Sequence, residues 1–132
     1  MMDDQPEETN MKVGDEKTDE RLNAAYHEAG HVAVILHYGC KLVGVIEAKV
    51  DGGGDAPWDK TSCINWEVIE KHAESGNNGN VSEVIKELKP FFHVNLAGYM
   101  AEVKAGADPT KAKAGAKEDF ENVHEMFNHL SL

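Results

Sequence analysis

Residues 27–31 read His27-Glu28-Ala29-Gly30-His31, two imidazoles four positions apart with a carboxylate directly after the first. On an α-helix each residue advances by about 100°, so side chains four apart lie within about 40° of one another. His27 and His31 therefore project side by side, one turn apart, where both rings reach a single cation. Glu28 falls on the flank of that pair, within reach of a water on the cation and without displacing a ligand. Two nitrogen donors, an open coordination position and an adjacent base are the parts of a metal-assisted hydrolase. Gly30 is a costly choice for a helix and Ala29 a neutral one, but both remove bulk where the metal-bearing face meets its neighbours.

A third donor has to come from elsewhere in the chain. His37 stands six residues after His31, the HExxHxxxxxH spacing of the metzincins. That arrangement needs a glycine three residues after the second histidine, and this chain has Val34, whose branched side chain resists positive φ. If the helix continues, His37 lies about 240° beyond His31 and points away. Asp119 is a better candidate, although acids in a first helical turn are also favoured by the helix dipole. The residues alone do not separate Asp119 from Glu118 or Glu102, and His93 and His124 remain further donors.

The elements that must carry these groups are legible as periodicity. Leu22, Ala25, Tyr26, Ala29, Val32, Ala33 and Leu36 recur at three- and four-residue spacing, which predicts a helix burying that face. Thr18 or Asp19 is its expected cap and Gly39 its stop. The β-branched run 42–50 reads as a strand, 51–57 as a glycine-rich loop, and Thr61–Trp66 as a returning, antiparallel strand. Helices follow over 66–74, from Ser82 through Leu88, from Pro90 to about Lys104, and from Lys117 to Leu130, with 107–115 a loop. The last helix is expected to bury Phe120, Val123, Met126 or Phe127, and Leu130. The fold class is α+β, a mostly helical, zincin-like domain with a small two- or three-stranded sheet.

With 132 residues the chain suits one ordinary domain. Its net charge of −11 is uneven: residues 1–20 hold eight acids against Lys12 and Lys17. Residues 1–17 are therefore expected to be an acidic, disordered tail, and 18–132 the domain. Arg21 is the one arginine and there is no basic stripe, which argues against nucleic acid. No run is apolar enough for a membrane span and the start is too acidic for a signal peptide, so the expected location is the cytoplasm. Cys40 and Cys63 lack CxxC spacing and are expected to be free, packed thiols there. Gly52-Gly53-Gly54 is followed by no Gly-Lys-Ser/Thr and is a turn rather than a phosphate cradle.

Three segments together resemble the peptidase domain of the FtsH-type ATP-dependent zinc proteases. Residues 24–34, from Ala24 through the two histidines to Val34, look like that family's zinc helix. Leu96-Ala97-Gly98-Tyr99-Met100-Ala101-Glu102 is similar to its glycine-containing helix, with Tyr99 where the family has arginine. Gly115-Ala116-Lys117-Glu118-Asp119-Phe120 resembles the segment whose aspartate is the third zinc ligand. The resemblance implies that zinc is held by His27, His31 and Asp119, with Glu28 as the general base of peptide-bond hydrolysis. It further implies a peptide or unfolded-protein substrate and a homo-oligomer. With no ATPase module in these residues, the expectation is a stand-alone peptidase or the peptidase partner of a separate ATPase. The strand near 61–66 could bind an extended peptide by edge pairing. The competing expectations are a non-catalytic zinc-bearing binding or regulatory module that keeps the fold, and a metal that only stabilises the domain.

Overall fold

A computed structural model describes residues 13–48, 54–75 and 81–130. It is mostly helical with a small antiparallel β component, as the periodicity predicts. Helix α1 (Val13–His37) is followed by strands β1 (Lys41–Leu42), β2 (Glu47–Ala48), β3 (Gly54–Asp55) and β4 (Trp58–Asp59). A 3₁₀ turn (Lys60–Ser62) leads into α2 (Trp66–Ser75), α3 (Val81–Lys104), α4 (Pro109–Gly115) and α5 (Lys117–Leu130).

Helix α1 begins upstream of the expected Thr18 or Asp19 cap, because no helix breaker follows Gly14 in the acidic run. Of the expected acidic tail, residues 1–12 lie outside the described residues. The helix stops as foreseen. Gly39 takes a φ of +73°, its N–H bonds the Leu36 carbonyl, and the Cys40 N–H bonds the Ile35 carbonyl, a Schellman ending.

The face that α1 buries differs from the expected one. Ala24, His27, Glu28, His31 and Ile35 are buried, whereas Leu22, Tyr26 and Leu36 are 51%, 43% and 60% exposed. The periodicity finds a stripe of apolar residues, but the helix turns the opposite, polar-bearing face inward. That face meets α3, the most extensive helix pairing in the molecule. Close approach is possible because Gly30 lacks a side chain: a Cβ there would stand 2.5 Å from the Ala97 carbonyl oxygen.

The expected strand 42–50 is broken at Gly44, whose φ of +79° turns the chain. Two short antiparallel ladders result, β1 with β4 (Leu42 opposite Trp58) and β2 with β3 (Glu47 opposite Asp55). The returning strand is thus Trp58–Asp59 rather than Thr61–Trp66. Asp59 ends it by accepting bonds from the Thr61 N–H (3.0 Å) and hydroxyl (2.6 Å), which nucleates the 3₁₀ turn.

Instead of two helices meeting at Pro90, α3 runs unbroken through it. The proline removes one helix hydrogen bond, and burial of Val84, Leu88, Phe91 and Val94 on both sides holds the helix together. Residues 109–115, expected to be loop, form α4 because Asp108 caps it (3.1 Å to the Lys111 N–H) and Pro109 occupies its first turn. In α5, Leu130 is fully buried, while Phe127 is 39% exposed and stacks on Phe92.

Two apolar clusters fill the interior. Ile64, Ile69, Val84, Leu88, Phe91 and Leu130 form the larger, and Ile35, Cys40 and Val94 the smaller. Trp58 and Cys63 pack against both. Cys40 and Cys63 are joined as a disulfide, not free thiols, with Cα atoms 5.1 Å apart. The Schellman turn carries Cys40 back toward the segment after β4, so the folded chain juxtaposes two cysteines far apart in sequence. Among the described residues, no helix is long and apolar enough to cross a membrane.

Candidate metal centre

The packing of α1, α3 and α5 brings three donors to one point. The Nε2 atoms of His27 and His31 stand 3.0 Å apart, and Asp119 Oδ2 lies 3.0 Å from the first and 3.1 Å from the second. These atoms form a nearly equilateral triangle. Neighbouring donors of a tetrahedral zinc site, with bonds of about 2.0–2.1 Å, stand roughly 3.3 Å apart. The donor set therefore fits a divalent ion with little adjustment, and these three residues form the one such cluster among the described residues.

Each imidazole is aimed from behind. His27 Nδ1 donates to Glu102 Oε2 at 2.6 Å, and His31 Nδ1 donates to the Val94 carbonyl at 2.5 Å. A carbonyl can only accept, so His31 carries its proton on Nδ1 and turns Nε2 toward the cluster. The Glu102 carboxylate imposes the same tautomer on His27. Outer partners of this kind set the orientation and basicity of metal-bound histidines.

The His27 ring also needs space on its far side. A Cβ at Gly98 would stand 2.5 Å from His27 Nε2 and 2.6 Å from Cε1. Only glycine at this position of α3 lets the ring lie where Asp119 meets it.

Electrostatics couple the three donors. Burial pulls the His27 pKa down, but hydrogen bonds to Asp119 and Glu102, with the charges of Asp119 and Glu28, outweigh it. The ring is left above its ordinary value of 6.5. Burial likewise pushes Asp119 up, and the bonds and charges of His27 and His31 overcome it and hold the carboxyl below 3.8. The cluster therefore favours positive charge at its centre.

The triangle opens into a cleft of about 660 Å³. Beside the histidines it is lined by Pro57, Trp58 and Lys60, by Val94 and Asn95 of α3, and by residues of α4 and α5 that include Asp119 and Asn122. Glu28 is buried at 5% exposure, lines this cleft, and is close enough to His27 for its charge to act on the ring. The arrangement places three donors and the carboxylate of Glu28 on one solvent-connected cleft.

Of the residues marked in the sequence, His27, Glu28, His31 and Asp119 converge. Glu102 joins as the partner of His27, and Glu118 lies on the cleft wall. His37 is exposed and stacks edge-on against Tyr38, His93 pairs with the Tyr38 hydroxyl, and His124 is exposed. Gly98 and Asn95 gave no local signal of their role; only the resemblance marked the segment around Gly98. Compared with known proteins, the chain matches no family model, no curated protein and no solved structure.

Proposed function

We propose that this protein is a zinc metallopeptidase of the FtsH type, with His27, His31 and Asp119 as metal ligands and Glu28 as general base. The observation that carries the reading is the triangle of donors at 3.0–3.1 Å at the floor of an open cleft that Glu28 lines. The three segments that carry the family resemblance are also the three that build the site: 24–34 supplies both imidazoles, 96–102 supplies Gly98 and Glu102, and 115–120 supplies Asp119. The open side supports catalysis over a purely structural metal, which four protein donors normally enclose.

A bound zinc ion lowers the pKa of water and polarises a carbonyl oxygen. The chain does the rest. Glu102 and the Val94 carbonyl fix the histidine tautomers, Gly98 makes room for the ring, and the cleft walls align an extended peptide. Glu28 accepts the proton of the attacking water and delivers it to the leaving amine, so the peptide C–N bond breaks as the new C–O bond forms.

The substrate in this reading is a peptide or unfolded protein, delivered by a separate ATPase partner to a homo-oligomer. The expected compartment is the cytoplasm. Disulfides are rare there, and the folded chain joins Cys40 to Cys63, so the state of this pair in cells tests the expected compartment. Alkylation and mass measurement of protein taken directly from cells reads their state.

The test is zinc content together with cleavage of fluorescent casein by wild type and Glu28→Gln. Wild type should cleave, and Glu28→Gln should keep its zinc and lose turnover by about 10²–10⁴-fold. Zinc bound with no Glu28-dependent cleavage would leave a binding or regulatory module and contradict the proposal.

A further inference from the structure

The cleft holds an amide whose orientation is dictated from the core. Asn95, buried on α3 at 6% exposure, donates through Nδ2 to the Phe91 carbonyl at 2.8 Å. A carbonyl accepts only, so Asn95 must turn its Oδ1 the other way. Asn122 meets that oxygen with its Nδ2 at 3.2 Å. The assignment of nitrogen and oxygen on Asn122 therefore follows from a backbone carbonyl two bonds back. Asn122 itself is exposed and lines the cleft, three residues after Asp119 and so on the same side of α5.

One N–H of Asn122 is committed to Asn95. The side chain still has its Oδ1 acceptor and a second N–H donor, in the same cleft as His27, His31 and Asp119. A peptide main chain offers the complement, one N–H and one C=O per residue. We propose that Asn122 is a substrate-binding residue that grips the main chain of an extended peptide in the cleft. It accepts from one backbone N–H and donates to one backbone C=O. This gives affinity without side-chain selectivity, as suits a cleft that takes unfolded chains. The inference rests on the peptidase reading.

The test uses zinc-loaded protein carrying Glu28→Gln to block turnover, and a short fluorescein-labelled casein peptide read by anisotropy. Adding Asn122→Ala should weaken binding about tenfold, the worth of one to two hydrogen bonds, with zinc content unchanged. Singly N-methylated versions of the peptide locate the contact. At one position the methyl should cost the parent about tenfold and cost the Asn122→Ala protein nothing. Asn95→Ala, which frees the Asn122 amide to rotate, should cause a smaller loss in the same direction. Equal methyl penalties in both proteins would overturn the proposal and leave the peptidase reading standing. Loss of zinc from Asn122→Ala would assign the residue to placing Asp119 instead and would also overturn it. A parent that binds zinc but no peptide would overturn the reading and the proposal together.

Discussion

The two faces of α1 reverse the usual rule of what goes inside. Its inner face carries His27, Glu28 and His31, each 5–6% exposed, whereas its outer face leaves Leu22, Tyr26 and Leu36 largely in water. Burying polar groups is costly unless each finds a partner, and for the histidines each partner is visible: Glu102, Asp119 and the Val94 carbonyl. The outer leucines face no such demand. The inner face is held by specific bonds and close contacts, and the outer face by very little, so substitutions on the two should behave differently.

The largest effect is expected from Gly98→Ala. A Cβ within 2.5–2.7 Å of the His27 ring forces the ring off Asp119. Zinc binding should be lost, and overpacking should cost about 1–3 kcal/mol in urea unfolding of the metal-free chain. Unchanged zinc affinity would show that α1 and α3 have slack the structure does not contain. Next, Glu102→Ala should weaken zinc 10- to 100-fold by calorimetry, and Glu102→Gln, which still offers an acceptor, should recover much of the loss.

A smaller effect separates the faces by pH. In the metal-free chain His27 titrates above 6.5, so its bonds stabilise fully below that value, and the contribution fades as pH rises through the raised pKa. Asp119 titrates below 3.8, so its contribution is present above that value and is lost as pH falls through the lowered pKa. Zinc needs the imidazoles unprotonated. The Tm gain from adding zinc should therefore grow from about pH 6 to about pH 8. A gain independent of pH would mean that protons and zinc do not compete there. The smallest effect belongs to the outer face, where Leu22→Ser or Leu36→Gln should each change stability by no more than about 0.5 kcal/mol.

This contrast also explains what was legible in the sequence. His27-Glu28-Ala29-Gly30-His31 announces its chemistry because both ligands sit on one helix and their spacing is local. Asp119 has no such signature: its dipole-favoured place at a helix start looks like that of Glu118, and only the resemblance to a known segment set it apart. The wrong face of α1 was expected to be buried because a hydrophobic pattern counts His27, Glu28 and His31 as surface residues. Pro90 suggested a helix start because the burial that carries α3 through it depends on α2 and α5 packing alongside. Asp108-Pro109 is a cap and first-turn pair, and the Ala/Lys/Gly-rich stretch that follows, with no apolar periodicity, masks the helix it starts. Cys40 with Cys63, and Asn95 with Asn122, are pairs that only the tertiary fold creates.

The central claim is that three residues from α1 and α5 hold one metal ion. Elemental analysis of protein prepared with zinc, for wild type and Asp119→Ala, tests it most directly. One zinc per wild-type chain, with affinity sharply reduced in Asp119→Ala, is the predicted result. A metal-free wild type, or Asp119→Ala binding zinc as tightly as wild type, would contradict it.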